Sequence, residues 1–414
     1  MNKNWKRQQK RITEISKNLR MQYYMEHNSE NCIFNVPHGI AGNLTESIGS
    51  WPEFIFRGTF CKRTFNGFCS PCFYSQFPIS EKANCDIYEN MIRSQFDFVI
   101  DNFENIVIKR QYGKTEDGIV KFVLTPTGSY FDENEFPQRL RIEMLNKINQ
   151  VANKYSVKVF LHVECHCKDW NALDKQTDES KEEILLLRKL NAKLLFGFES
   201  INDYVRNVLY NKNLNMGEFI FAYESALVAN LKVGVFIFAG LFSMNDALTI
   251  KDTCLSIDFA LNKGITPVLM FQNIQQHTIT ELLYRSNNIS LLEPFTVMEI
   301  VLHLTKCVES ISGSDWLIAD PKGGPPVPEY NIFDCAKITS KENSDKIYKM
   351  ICELRLSRDT ETYIKHALEL MSTDNYKDYC NFINKCGKYN TLEQYTNSLI
   401  TCAENLYRQQ YGRE

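Results

Sequence analysis

The chain has 414 residues, 44% of them hydrophobic and 23% charged, a globular composition that excludes disorder and fibrous repeats as the dominant state; its length fits two or three domains of about 150 residues or one large α/β barrel with appendages. Forty-seven Lys and Arg against fifty Asp and Glu leave a net charge of −3, so a globally basic nucleic-acid binder is not indicated, although a local basic patch is compatible with it. Fourteen cysteines, with no apolar run behind the N-terminal charges, predict a reducing, cytoplasmic setting in which thiols serve metal or redox chemistry.

In chain order, the first twenty residues carry seven basic side chains (Lys3, Lys6, Arg7, Lys10, Arg11, Lys17, Arg20) and one acid, Glu14. Trp5, Ile12, Ile15, Leu19 and Tyr23 recur at helical spacing, which predicts a basic amphipathic helix within an N-terminal extension, 1–48. Such a helix either packs on the body by its apolar stripe or faces nucleic acid with its charges. From 49 to 292, strands and helices alternate. Strands are predicted at 53–56, 120–124, 157–163, 193–198, 231–239 and 266–271, with helices over 87–103, 137–155, 180–190 and 246–263 and helical segments up to about 230. Six such alternations imply a parallel sheet and fit a partial (β/α)6 barrel whose working face lies at the C-terminal ends of the strands. The longest apolar run, Val233 to Phe242, contains two glycines and is roughly half the length a membrane span needs, so no membrane association is expected. The remainder, 293–414, reads as a helix over 295–311, a Gly/Pro loop from Asp320 to Pro326, and a helical extension from 344, with breaks near Asn375 and over 387–390.

The chemistry concentrates just after the first strand, where Cys61, Cys69 and Cys72 form a C-x7-C-x2-C segment. Three thiolates on one loop can hold three corners of a [4Fe–4S] cluster and leave one iron open. Gly67 and Pro71 suit a tight backbone, and Phe60, Phe65, Phe68, Phe73 and Tyr74 would exclude solvent. Zinc would want a fourth thiolate or imidazole; Cys85 is the nearest and has no partner at C-x2-C spacing. Unligated core cysteines are the third reading. The later cysteines, Cys254, Cys307, Cys335, Cys352, Cys380, Cys386 and Cys402, show no C-x2-C pairing, so no second cluster is expected. On the third strand His162, Glu164 and His166 share one face, a metal set or hydrogen-bonded histidines; Cys165 and Cys167 share the other, as small buried hydrophobes.

These cysteines, in this place, resemble the radical S-adenosylmethionine (SAM) superfamily. The long first gap is similar to the branch of the elongator catalytic subunit and, most closely, to the radical SAM subunit of archaeosine synthase. Arg57-Gly58 stands slightly before the first cysteine. Thr127-Gly128-Ser129-Tyr130-Phe131-Asp132 is similar to the family's Gly-Ser-Phe-Leu-Asp, Gly197-Phe198-Glu199-Ser200 to its Gly-Leu-Glu-Thr, Asn273-Ile274-Gln275 to its Asn-x-Gln, and the loop from Asp320 to its Ser/Asp-Gly-Gly. His166 stands where that family tends to have Arg, and Cys335 alone follows the Gly-Gly loop where it has paired cysteines.

The resemblance implies a cluster held by Cys61, Cys69 and Cys72, SAM bound through the open iron, and a 5′-deoxyadenosyl radical that abstracts hydrogen from the substrate. Gly128 and Ser129 would approach the SAM amino group, and Glu164 would contact SAM or substrate. Glu199 would accept from ribose or amine, unless it makes only a rim salt bridge or helix-terminal contact. Gly240 would make room for adenine, unless it serves a turn. Asn273 and Gln275 would read the adenine edge or the substrate. The implied partners are a tRNA whose base is modified and an electron donor such as a flavodoxin or ferredoxin. A peptide or small metabolite as substrate, and a non-catalytic zinc-binding module, stand as alternatives.

Overall fold

The computed structural model describes residues 2–27, 53–56, 61–72, 85–108, 118–126, 128–311, 315–323, 330–386 and 391–411, apart from the side chains of 23–27, 65, 85–88, 106, 107 and 386. Arg57, Gly58, Phe60, Phe73, Tyr74, Thr127, the segment 324–326, and the side chains of Tyr23, Phe65 and Cys85 lie outside that description. A long helix α1 (Lys3–His27) precedes β1 (Glu53–Ile55), a short α2 (Lys62–Phe65), and α3 (Cys85–Asn102), which runs on as a π-helical turn to Ile108. The alternation then proceeds through β2 (Ile119–Thr125), α4 (Gln138–Lys154), β3 (Lys158–Cys165), α5 (Cys167–Ala172), α6 (Asp178–Lys189) and β4 (Lys193–Glu199). After a π-helical turn (Val205–Leu209) come α7 (Met216–Val228), β5 (Lys232–Ala239), α8 (Asp246–Asn262), β6 (Thr266–Phe271), β7 (Asn273–Ile274), α9 (Ile279–Arg285) and α10 (Pro294–Ser310). The chain closes with β8 (Leu317–Ile318), β9 (Tyr330–Asn331), α11 (Lys341–Ser357), α12 (Thr360–Met371), α13 (Asp374–Cys386) and α14 (Leu392–Tyr411).

Seven strands form one parallel sheet, in the order β1-β2-β3-β4-β5-β6-β8, curved into a half-barrel with helices outside. The seventh strand corrects the expected six. Two residues are too short to show a period, and β8 is fixed instead by tertiary contacts: Leu317 and Ile318 pair with Val268 and Leu269, Arg355 Nε donates to Ile318 O (2.9 Å), and the Arg358 guanidinium lies 4.1 Å from the Trp316 ring centre. β7 and β9, also unexpected, pair antiparallel beside it.

Alternation along the strands sorts side chains by face. On β4, Leu194, Phe196 and Phe198 join the core under the helices, whereas Leu195 meets Val123, Val268 and Leu317 inside the barrel. This apolar layer separates a charged lower end, where Lys193 bonds Thr266 Oγ1 (2.8 Å) and Asp315, from the upper rim. Among the described residues, no helix is long and apolar enough to cross a membrane.

The N-terminal helix packs on the body by its stripe, with Ile12, Ile15 and Leu19 buried against the turn after β4 and against α14. Arg11 donates to Glu404 Oε1 and Oε2 (both 2.7 Å), and Trp5 Nε1 to Glu393 Oε1 (2.8 Å). The two ends of the chain therefore meet. Lys3, Lys6, Arg7, Lys10 and Lys17 remain exposed.

Gly67 is where this helix touches the cysteine loop. Its φ is +88°, and a Cβ there would stand 2.2 Å from the Thr13 carbonyl oxygen, a backbone atom that cannot swing aside. Gly67→Ala should cost about 2–4 kcal/mol from overpacking and left-handed strain together, read as an earlier urea midpoint with faster proteolysis of α1. An unchanged midpoint would mean that the helix does not bear on the loop.

Candidate functional site

Cys61 precedes α2, and a turn at Asn66–Gly67 returns the chain to Cys69, which has φ +53°. A non-glycine residue at positive φ is costly and persists only where the surroundings dictate it. Here they do. Cys69 N and Ser70 N donate to the carbonyls of Asn211 (3.1 Å) and Tyr210 (2.8 Å), Asn211 Nδ2 donates to Gly67 O (2.8 Å), and Cys72 N to Cys69 O (2.9 Å). From the other side comes Arg20 of α1, 3% exposed. Its guanidinium donates to Phe68 O (2.8 Å), Cys69 O (2.9 Å), Cys72 O (3.0 Å) and, at closer range, Thr64 O.

All three cysteines line one cavity of about 240 Å³ at the C-terminal ends of the strands. Burial, reinforced by Glu135 and Cys69, pushes the Cys61 thiol up to about 12, and burial raises Cys69 as well, against Lys212. Ligation there releases protons, and the Arg20 and Lys212 cations favour the resulting thiolates. Among the described residues, only Asp258, His303 and Cys307 bring three ligand atoms within 4.8 Å of one another. The Cys61, Cys69 and Cys72 sulfurs are thus not all within that distance of one another.

The same cavity is lined by Gly128, Glu164, Glu199, Asn273 and Gln275, drawn from the ends of β2, β3, β4 and β6. Gln275 Nε2 donates to Asn273 Oδ1 (2.9 Å), so the two amides act as one polar edge. Glu199 ends β4 after a register shift at Gly197–Glu199 and has φ +70°; this bulge turns its carboxylate into the cavity. It meets Lys212 Nζ at 2.8 Å, both side chains buried. The salt bridge considered for Glu199 thus exists, inside the cavity and not on the rim. Burial opposes the Lys212 charge, but Glu199 and Cys69 hold its pKa above the usual value. Gly197 leaves room for this placement of the pair, since a Cβ there would stand 2.2 Å from Lys212 Nζ.

Ser129 and Gly240 do not line the cavity. Ser129 is buried one step behind it: its Oγ accepts from His166 N (3.0 Å) and its N–H donates to Glu135 Oε2 (3.2 Å). Gly240 has φ +92°, and a Cβ would lie 2.6 Å from Leu292 Cδ1. Its turn and close packing account for the glycine. The third-strand set also divides. Glu164 and His166 line the cavity, and His166 caps α5 through Nδ1, which accepts from Lys168 N (3.1 Å). His162 lies deeper, its pKa well below the usual value through burial and the charges of Lys193, Lys121 and Arg358. The three do not converge on a metal. Cys165 and Cys167 are core residues, as expected.

Sequence reasoning missed Arg20, Lys212 and the acid Glu53, which lines the cavity from β1. Glu53 Oε1 accepts from Thr125 Oγ1 (2.9 Å), and its buried Oε2 has no hydrogen-bond partner. Glu164 is held well above the carboxylate range by burial and then by Glu53.

No protein-family profile matches the chain. It is 22% identical over 292 residues to an uncharacterized protein of Methanocaldococcus jannaschii, spanning 70% of this chain and 73% of that one. Among solved structures it is similar to archaeal Elp3 of Methanocaldococcus infernus (14% identity, 62% of this chain, TM-score 0.42), of which it spans 57%. Others are the radical S-adenosylmethionine methyltransferase TsrM of Kitasatospora setae, with cobalamin and a [4Fe–4S] cluster bound (10% identity, 59% of this chain and 41% of that one, TM-score 0.35), and methylornithine synthase, PylB (11% identity, 84% and 87%, TM-score 0.36).

Burial raises Glu53 from 4.5 to about 7, against the Thr125 hydrogen bond. The folded protein then holds a proton that the unfolded chain releases, so this contribution to stability is full below pH 4.5 and is lost as pH rises toward 7. Glu53→Gln should flatten that part of the stability–pH curve by a few kcal/mol, measured as urea midpoints across the range. Curves of equal slope would show that Glu53 is not protonated in the fold.

Proposed function

We propose that this chain is a radical SAM enzyme that modifies a tRNA nucleoside in a reducing, cytoplasmic setting. The observation that carries the reading is that three cysteines from one loop line a cavity whose other wall is made of strand-end residues: Gly128, Glu164, Glu199, Asn273 and Gln275. Cys61, Cys69 and Cys72 would hold three irons of a [4Fe–4S] cluster, leaving the fourth for SAM. When bound, the cluster supplies the electron that splits a carbon–sulfur bond of SAM and yields a 5′-deoxyadenosyl radical.

The chain's own residues position the reactants and keep water out. The unpartnered Glu53 Oε2 and the Asn273–Gln275 amide edge offer polar contacts to a ligand with amino and hydroxyl groups. Tyr210, Phe236, Phe238 and Met270 line the wall with apolar surface that excludes solvent. The loop beginning at Asp320, which resembles the family's Gly-Gly segment, reaches the same cavity through Asp320 and Gly323. The tRNA reading rests on the family resemblance and on the exposed cations of α1, which suit phosphate contacts. An electron donor of the flavodoxin or ferredoxin class would reduce the cluster.

Anaerobic protein given SAM and dithionite should produce 5′-deoxyadenosine, and Cys61→Ser should abolish this together with bound iron. Bulk tRNA should raise the yield, and the combined variant Lys6→Glu, Arg7→Glu and Lys10→Glu should reverse that stimulation while leaving the basal rate intact. A colourless protein carrying zinc in the loop would replace the enzyme with a binding module. Stimulation by a peptide or small metabolite in place of tRNA would move the substrate class.

A further inference from the structure

A second cluster of ligating side chains lies outside the cavity, between two helices that pack side by side, α8 and α10. Asp258 stands on α8; His303 and Cys307 stand one turn apart on α10, on the same face. Their ligand atoms form a small triangle. His303 Nε2 is 2.7 Å from Asp258 Oδ1 and 3.5 Å from Cys307 Sγ, and Cys307 Sγ is 3.6 Å from Asp258 Oδ1. None of the three lines the cavity of the cysteine loop.

Two readings of a Cys–His–Asp group compete. In a nucleophilic triad the carboxylate bonds one imidazole nitrogen and the thiol the other, so that a proton can pass through the ring. Here both partners face the same nitrogen, Nε2, which breaks that relay. A shared point between three different ligand atoms is instead what a metal needs. A tetrahedral zinc with Zn–S of 2.3 Å and Zn–N or Zn–O near 2.05 Å sets S···N and S···O at about 3.6 Å and N···O at about 3.3 Å. The two sulfur distances already match, and the Asp258–His303 contact must open by only about 0.6 Å. Cys254 sits one turn before Asp258 on α8, but its sulfur is not among the three converging atoms. The partial exposure of His303 (33%) and Asp258 (41%) gives an ion a path in.

We propose that Asp258, His303 and Cys307, with water in the fourth position, form a zinc site that pins α8 to α10 on the outside of the barrel. Carboxylate, imidazole and thiolate together suit zinc and exclude magnesium and calcium, which take oxygen ligands. Binding releases the Cys307 thiol proton, so affinity rises with pH. The site is independent of the radical chemistry.

The test uses cluster-loaded full-length protein titrated with zinc against a chromophoric chelator, followed by X-ray absorption at the zinc edge, which iron does not contaminate. One equivalent should bind, with one sulfur near 2.3 Å and three nitrogen or oxygen atoms near 2.0 Å. His303→Ala and Cys307→Ser should each weaken binding by at least about 100-fold, while Cys335→Ser leaves it unchanged. Both altered side chains are partly exposed, and matching circular dichroism melts of the metal-free variants would confirm folding. A zinc shell with no sulfur near 2.3 Å would remove Cys307 and overturn the site. Zinc binding that survives His303→Ala, or that disappears only with Cys61→Ser, would overturn the site; failure of SAM cleavage would leave this result untouched.

Discussion

One buried guanidinium governs the shape of the loop on which everything else rests. Four carbonyls of the cysteine segment point at Arg20; Thr64 O and Cys69 O also accept from Gly67 N and Cys72 N, so the cation completes a hydrogen-bonded turn in a buried place. The charge matters as much as the hydrogen bonds. Burial alone would keep the thiols protonated, and a fixed positive group nearby favours their ionised form. Burial also lowers the pKa of Arg20, and the three cysteines oppose it, so cation and sulfurs stabilise each other. Arg20 is delivered by α1, and α1 is held by α14 through Arg11 and Glu404. The first and last helices of the chain thus jointly set the geometry of a loop that neither contains.

The half-barrel meets this loop with a graded interior. Charges fill the lower end, four aliphatic side chains close the middle, and the upper rim presents carboxylates, amides and glycines. Two residues of the cavity wall, Cys69 and Glu199, hold positive φ, and each is fixed by partners from another element. The Glu199–Lys212 pair shows how closely the parts pack, because in this geometry Lys212 Nζ occupies the space that a side chain at Gly197 would take.

The residues legible in the sequence were those whose chemistry is contiguous. Three thiols within twelve residues, or an Asn-x-Gln after a strand, announce themselves without tertiary information, and the period-two strands placed them at one end of a parallel sheet. Arg20 was hidden among seven basic residues, although its spacing of eight from Ile12 puts it on the apolar stripe of α1 and would have marked it as buried. Lys212 and Glu53 act through contacts across the barrel, which no local pattern encodes. His162 and His166 share a strand face but differ in depth: about 3.3 Å of rise per residue places one in the charged lower end and the other at the cavity. β8 is too short to carry a signal of its own and exists because α11 and its neighbours press it against β6. At Gly240 a glycine ending a strand suggests either space for a ligand or a turn, and the structure shows positive φ with tight packing against Leu292.

The basic helix illustrates why charge counts underdetermine function. Two of its seven cations, Arg11 and Arg20, are spent on internal contacts, so truncating the helix would dismantle the cysteine loop along with any surface for phosphate. The central claim is that this loop holds one iron–sulfur cubane with an open corner. Mössbauer spectroscopy of protein reconstituted with ⁵⁷Fe tests it most directly. The account predicts about four irons per chain as [4Fe–4S], with about a quarter of the signal shifting when SAM is added, and neither feature in a Cys69→Ser variant. Iron that is absent, or that is present but indifferent to both SAM and that substitution, would contradict it.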